Sequence, residues 1–136
     1  MSTLFGQEHV ERYRETGGAE GHDWLKGTSI LLLTTTGRKS GTEYTTPLIY
    51  GLDAGNPVIV ASQGGTPGHP DWYLNLVAHP EVGVQIKGDT YRARARTAEG
   101  EERERLWKLM TGEWADYDEY QKKTGRVIPV VVLERL

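Results

Sequence analysis

"LLLTTTGRKSGTEYTTPLIY", residues 31–50, carries two apolar, β-branched runs with Gly37-Arg38-Lys39-Ser40-Gly41 between them, two cations bracketed by glycines. Residues 28–36 and 44–50 both favour extended backbone, and the glycine-bounded segment supplies turn chemistry, so the pattern predicts a hairpin. Pro47 lacks a ladder donor and places the second strand at an edge or a bulge. The turn is not a nucleotide-binding loop, because Arg38 stands where such a loop needs glycine and a strand follows where it needs a helix. Two readings stay open here: a solvated, charged hairpin tip, or an anion grip in which Arg38 and Lys39 make charge-assisted contacts and Ser40, Thr45 and Thr46 add polar donors.

Outward from the hairpin, the chain alternates short elements. Residues 4–16 have Val10 and Tyr13 on one helical face and Gly17-Gly18 as a stop, which predicts a helical strap over residues 1–18. Downstream, a turn at Asp53-Ala54-Gly55-Asn56 leads to a strand at 58–62 and a glycine-rich loop, followed by a helix at 70–78 with Pro70 in its first turn. Strands at 82–87 and 91–97 flank Gly88-Asp89, helices follow at 101–110 and 114–122, and a last strand spans 127–133. About six largely antiparallel strands with short flanking helices predict an α+β split barrel in a single domain, residues 1–136.

The totals bound the partners. A formal charge of −3 gives no general bias toward nucleic acid or anionic membrane, so an anion site has to be local. With no cysteine, disulfides, thiolate metal sites and cysteine nucleophiles are excluded. The four histidines lack metal-ligand spacing, no Gly-x-Ser-x-Gly elbow is present, and no metal is expected. The expectation is a cytoplasmic protein, with no run near the ~20 apolar residues of a membrane span and no apolar signal-peptide core.

Two further segments can build a pocket. In Ala61 to Asn75 a strand ending in small residues meets a glycine-rich loop and then a helix bearing Trp72, Tyr73 and Asn75, which suits a flat heterocycle or a plain connection. Trp114, Tyr117 and Tyr120 recur every three residues, as a core stripe or as an aromatic wall able to donate hydrogen bonds. Arg92, Arg94 and Arg96 alternate with Ala93 and Ala95, which reads first as a solvated strand face and second as the wall of an anionic-ligand site.

Taken in order, "LLLTTTGRKSG", "TTPL", "ASQGG", "DWYLNLVAHPEVGVQI" and "YDEYQKKTGRVIPVVVLE" resemble the deazaflavin (coenzyme F-420)-dependent nitroreductase family of split β-barrel proteins, related in fold to flavin reductases and pyridoxamine oxidases. The likeness runs from about His9 to Glu134. It implies that the anionic tail of coenzyme F-420 lies near Arg38, Lys39 and Ser40, with Tyr44, Thr45, Thr46, Pro47, Leu48 and Ile49 alongside. It also implies that Val60, Ala61, Ser62 and Gln63, with Asp71, Trp72, Tyr73, Leu74 and Asn75, surround the ring and linker, and that Tyr117 approaches from the aromatic helix. Ser62, Tyr117 and Tyr120 are the candidates for polar contact with the acceptor. The sequence departs from the nitroreducing pattern at Gln63, where a Lys would stand, at Ile49, where Tyr occurs, and at Trp114, where Tyr occurs.

The expectation is therefore a reductase passing a hydride from reduced coenzyme F-420 to a small-molecule acceptor, a quinone or a nitro compound. An FMN-dependent oxidoreductase on the same barrel, and a non-catalytic binder of the deazaflavin or an apolar ligand, stand as alternatives. Peripheral membrane contact and a monomer or homodimer are both compatible with the sequence.

Overall fold

A computed structural model of the chain describes residues 4–136. The expected hairpin is β1 (Ile30–Thr36) and β2 (Glu43–Ile49), in register from Ile30 opposite Ile49 to Thr36 opposite Glu43. Its turn closes through Gly37 N–H to the Thr42 carbonyl at 2.7 Å and Gly41 N–H to the Gly37 carbonyl at 2.9 Å. The uninterrupted Ile30-Leu31-Leu32-Leu33 run has a simple cause: β1 is covered on both faces. Leu31 and Leu33 face one apolar cluster with Ile59, Val82, Val84 and Leu133, while Ile30 and Leu32 face another with Val10 and Tyr13 of α1 (Gly6–Thr16).

The remaining strands are β3 (Gly51–Asp53), β4 (Asn56–Val60), β5 (Glu81–Ile86), β6 (Asp89–Thr97) and β7 (Val130–Arg135). All pairs are antiparallel and the sheet order is β2-β1-β5-β6-β7-β4-β3. That order and the chain together impose the architecture. Only Tyr50 separates β2 from β3, yet these two strands lie at opposite ends of the sheet, so the sheet has to curl until its ends meet. Tyr50 marks the corner, its N–H bonded to the Ser29 carbonyl at 3.0 Å. The result is a split barrel, and Pro47 sits in edge strand β2, where a missing donor is tolerated.

Helices α2 (Asp71–Ala78), α3 (Gly100–Glu113) and α4 (Asp116–Lys123) complete the fold. Leu76 of α2 joins the barrel interior, whereas Leu106 and Met110 of α3 and Tyr117 of α4 pack on Val58, Val60, Val130 and Val132. Each large apolar face that the strand pattern creates is thus covered by a helix.

Several expected bounds shift. The described residues form seven strands, because residues 51–53 after the Tyr50 corner pair with β4. The fourth strand starts at Asn56 and ends at Val60, since Ser62 already turns into αR geometry. The second hairpin turns at Lys87-Gly88, with Ile86 directly opposite Asp89 and Lys87 at φ 55°. Pro70 caps α2 in extended geometry rather than sitting inside it. Trp114 is extended (φ −145°, ψ 96°) and separates α3 from α4, so the aromatic residues at 114, 117 and 120 do not share one helix.

Candidate active site

A cleft of about 1190 Å³ follows β2 and is closed by residues from α1, the end of β4, α2 and α4. From Tyr44 to Ile49 the strand advances about 17 Å at ~3.4 Å per residue, and this span separates two chemically different ends.

The Tyr44 end is cationic. Asn75, 4 % exposed, accepts through its Oδ1 from the Arg38 backbone N–H at 3.1 Å and from Arg38 Nη1 at 2.8 Å. Asp71 Oδ1 lies 3.4 Å from Arg38 Nη2. Asp71 and Asn75 are four apart on α2 and therefore face Arg38 together. Lys39 is exposed on the same wall, and the Ser40 hydroxyl accepts the Thr42 N–H at 3.2 Å, fixing the turn.

The Ile49 end is aromatic. Trp24 stacks on Trp114 with centroids 6.1 Å apart, and Phe5 meets Trp24 edge-on at 5.3 Å. Trp114 Nε1 donates to the Tyr120 hydroxyl at 3.2 Å, which leaves the Tyr120 O–H proton free to donate in turn. Tyr117 meets Tyr120 edge-on at 6.2 Å and is 5 % exposed. Burial holds its phenol well above the usual tyrosine range, so at neutral pH it is a hydrogen-bond donor rather than a base. Val60, Ser62, Gln63 and Gly64 form the facing wall.

Of the residues singled out from sequence, the cleft wall brings together Arg38, Lys39, Ser40, Tyr44, Thr45, Thr46, Pro47, Leu48, Ile49, Val60, Ser62, Gln63, Asp71, Trp72, Asn75, Tyr117 and Tyr120. Ala61, Tyr73 and Leu74 are not on it. Ala61 is fully buried, its side chain opposite in sense to Val60 and Ser62 along the chain. Tyr73 packs toward the barrel interior, and its hydroxyl lies 2.9 Å from Thr97 Oγ1. Helix geometry explains the split: positions 71, 72 and 75 share a face that 73 and 74 do not.

Trp114, read from sequence as part of an aromatic wall, is also on the cleft, whereas sequence reading missed Phe5, Arg14 and Trp24. Arg14 reaches over from α1 to donate to Thr45 Oγ1 at 2.8 Å, adding a third cation to the polar end. Its position on the strap, one turn beyond Val10, was the available signal. Nothing local marks Trp24, whose indole N–H is bonded to the Leu4 carbonyl at 2.9 Å.

The cleft thus has a cationic end that suits a phosphate or carboxylate tail and an aromatic end that suits flat rings, with hydroxyl groups on its walls. Such a site holds a redox cofactor and a planar acceptor better than it cuts a bond, since among the described residues no activated nucleophile lines it. The family model for F420H(2)-dependent quinone reductase matches residues 5–135. An F420H(2)-dependent quinone reductase of Mycobacterium tuberculosis (strain ATCC 25618 / H37Rv) is 39% identical over 130 residues, covering 93% of this chain and 87% of that protein. Among solved structures, an F420-H2 dependent reductase (FDR-A) superposes with a TM-score of 0.72 at 47% identity, covering 77% of this chain and 93% of that one. A second, described as a domain-swapped dimer, superposes with a TM-score of 0.75 at 44% identity, covering 93% and 95%. On the match across nearly its whole length, the chain belongs to the F420H(2)-dependent quinone reductase family.

Proposed function

We propose that this protein reduces a quinone with a hydride taken from reduced coenzyme F-420. The observation that carries the reading is the two-ended cleft, cationic at Arg38 and Lys39 and aromatic at Trp24, Trp114, Tyr117 and Tyr120, in a member of this family. The residues present fit the cofactor. A polyanionic tail suits Arg38, Lys39 and Arg14, and a flat tricycle suits the space between β2 and the 60–63 wall.

Conversion of a quinone to its hydroquinone requires one hydride and one proton. When bound, the reduced cofactor supplies the hydride. The chain's own work is then to hold two planar molecules face to face, exclude water and meet the charge that develops on the quinone oxygen. Tyr117 and Ser62 donate hydrogen bonds at that oxygen, and Tyr120, whose oxygen already accepts from Trp114, has its proton available for it. Arg38 is pre-aimed by Asn75, so gripping the tail does not require ordering a free side chain.

We assign the reaction to the cytoplasm; among the described residues no helix is long and apolar enough to cross a membrane. Phe5 at the aromatic end of the cleft and Tyr44 at the cationic end are both exposed, and each offers an apolar point for peripheral contact with a membrane that holds the quinone. Sedimentation distinguishes monomer from homodimer.

The test is oxidation of reduced coenzyme F-420, followed optically, against a panel of quinones and nitroarenes with reduced FMN and a nicotinamide as control donors. Quinone-dependent turnover with the deazaflavin alone is expected. Rates at background for every acceptor, or equal rates with reduced FMN, overturn the reading. Arg38→Ala with Lys39→Ala is expected to weaken cofactor binding more than it lowers fold stability, as fluorescence titration and denaturation of the same samples will show.

A further inference from the structure

We infer that Arg126 is a positioning residue of this site: its guanidinium clamps the 61–66 turn and so sets the separation between the two walls at the ring end of the cleft. What that end binds rests on the proposed function; the clamp rests on geometry.

Arg126 lies in the connection between α4 and β7, outside every helix and strand. Its side chain crosses to the other wall. Nη2 donates to the Ser62 carbonyl at 2.7 Å, Nη1 to the Ala61 carbonyl at 3.1 Å, and Nε to the Thr66 carbonyl at 2.9 Å. Nη1 also lies 3.0 Å from His69 Nδ1, which must accept because a guanidinium has only donors; the His69 proton is therefore on Nε2. A single planar fork thus reaches both ends of the turn that carries Ser62, Gln63 and Gly64.

That turn needs holding. Gln63, Gly64 and Gly65 have φ of 44°, 66° and 82°, three consecutive left-handed residues of which the first has a side chain. Such backbone persists only where its surroundings over-determine it. One restraint is Gly65, seated so close under α4 that a Cβ there would lie 2.5 Å from the Tyr120 carbonyl oxygen. Arg126 is the other.

Arg126 is itself fixed to α4. Gln121 of α4 donates from Nε2 to the Arg126 carbonyl at 2.7 Å and accepts the Ile128 N–H at 2.9 Å. Arg103 secures the same segment through the Ile128 carbonyl at 2.8 Å. The helix that presents Tyr117 and Tyr120 and the turn that presents Ser62 and Gln63 are therefore joined through Arg126, and neither wall can shift alone. Arg126 takes part in none of the ion pairs among the described residues, so its charge is spent on carbonyls that a neutral side chain would hold less firmly.

Arg126→Met keeps the length and removes every donor; Arg126→Lys keeps the charge without the fork. Both are compared with wild type in the full chain, well below their thermal midpoints. For the Met variant, amide exchange at Gly65 and Thr66, which close the turn onto Ser62 and Gln63, is expected to accelerate about tenfold, the worth of one charge-assisted hydrogen bond. The dissociation constant for coenzyme F-420 should rise by a similar factor and the single-turnover rate at saturating cofactor should fall. The His69 ¹⁵N shifts should lose the fixed Nε2–H pattern, and Lys should recover part of each effect. Wild-type affinity and rate per folded molecule in the Met variant, beside a lower midpoint, would reduce Arg126 to a structural residue and overturn the proposal. Unchanged amide exchange and unchanged His69 shifts overturn the clamp even if wild type binds no coenzyme F-420, an outcome that instead overturns the proposed function. Should the Met variant not fold, the Lys variant carries the same readouts, intermediate values supporting the clamp and wild-type values refuting it.

Discussion

Asn75→Asp replaces the oxygen that Arg38 grips by a carboxylate of the same shape. Asn75 Oδ1 accepts from the Arg38 N–H at 3.1 Å and from Nη1 at 2.8 Å, and a carboxylate keeps both bonds. The new charge lies behind the guanidinium, about 7 Å from an anion held on its outer side, so it opposes that anion by about 0.6 kcal/mol at the dielectric of water and about 2.4 kcal/mol at an effective value near 20. The dissociation constant for coenzyme F-420 should rise between about 3-fold and about 50-fold. Fold stability should stay within about 1 kcal/mol of wild type, because pairing with Arg38 offsets desolvation of the carboxylate. Asn75→Ala should behave in the opposite way, losing about 2 kcal/mol of stability by stranding the Arg38 donors. Fluorescence titration at two salt concentrations, with chemical denaturation of the same preparations, separates the two effects. If the Asp variant binds the cofactor with wild-type affinity at low salt, the Arg38 charge does not meet the anionic tail and the placement of that tail is wrong.

Gly65→Ala puts a methyl group 2.5 Å from the Tyr120 carbonyl oxygen at a φ of +82°, and should lower stability by about 2–4 kcal/mol in denaturant titration. Gln63→Lys adds an exposed cation to the cleft wall and should tighten cofactor binding about 2- to 5-fold at low salt, an effect that salt erodes. Tyr50, whose hydroxyl lies 2.8 Å from His22 Nε2, has its phenol pushed up to about 12, by burial first and then by the neighbouring phenols of Tyr13 and Tyr91 and the carboxylates of Asp23 and Glu113. Because the folded value lies above the unfolded value of about 10, the stabilisation is present below pH 10 and is lost as pH climbs from about 10 toward 12. Tyr50→Phe should therefore shrink the alkaline fall in thermal midpoint while costing about 1 kcal/mol at neutral pH.

Much of the fold was legible because strand patterning is local. The β1–β2 hairpin, the α2 segment and the α1 strap all follow from periodicity, glycine and proline, with bounds moved by a few residues. Errors arose where a distant contact sets the local backbone. The last strand begins at Val130 rather than three residues earlier because the preceding segment is bound to Gln121 and the 61–66 turn. Trp114 looked continuous with Tyr117 and Tyr120 on spacing alone, yet the chain breaks there, and the tertiary structure reassembles the three as one wall from two directions.

By itself, the sequence determined the materials of the site: cations between Gly37 and Gly41, a glycine-rich turn after β4, and aromatic residues near the C-terminus. Chemical type and short-range spacing are properties of neighbouring residues and need no partner. Tertiary structure alone decided that these materials face one another. Sheet ends far apart in pairing order are joined through Tyr50, and this closure lays β2 beside the end of β4 and brings Trp24 and Arg14 onto the same cleft. It also decided which residues of a promising stretch serve the cleft, turning Ala61 and Tyr73 into the core and carrying Arg126 across to the opposite wall. Those outcomes depend on contacts between residues dozens of positions apart, which local periodicity does not encode.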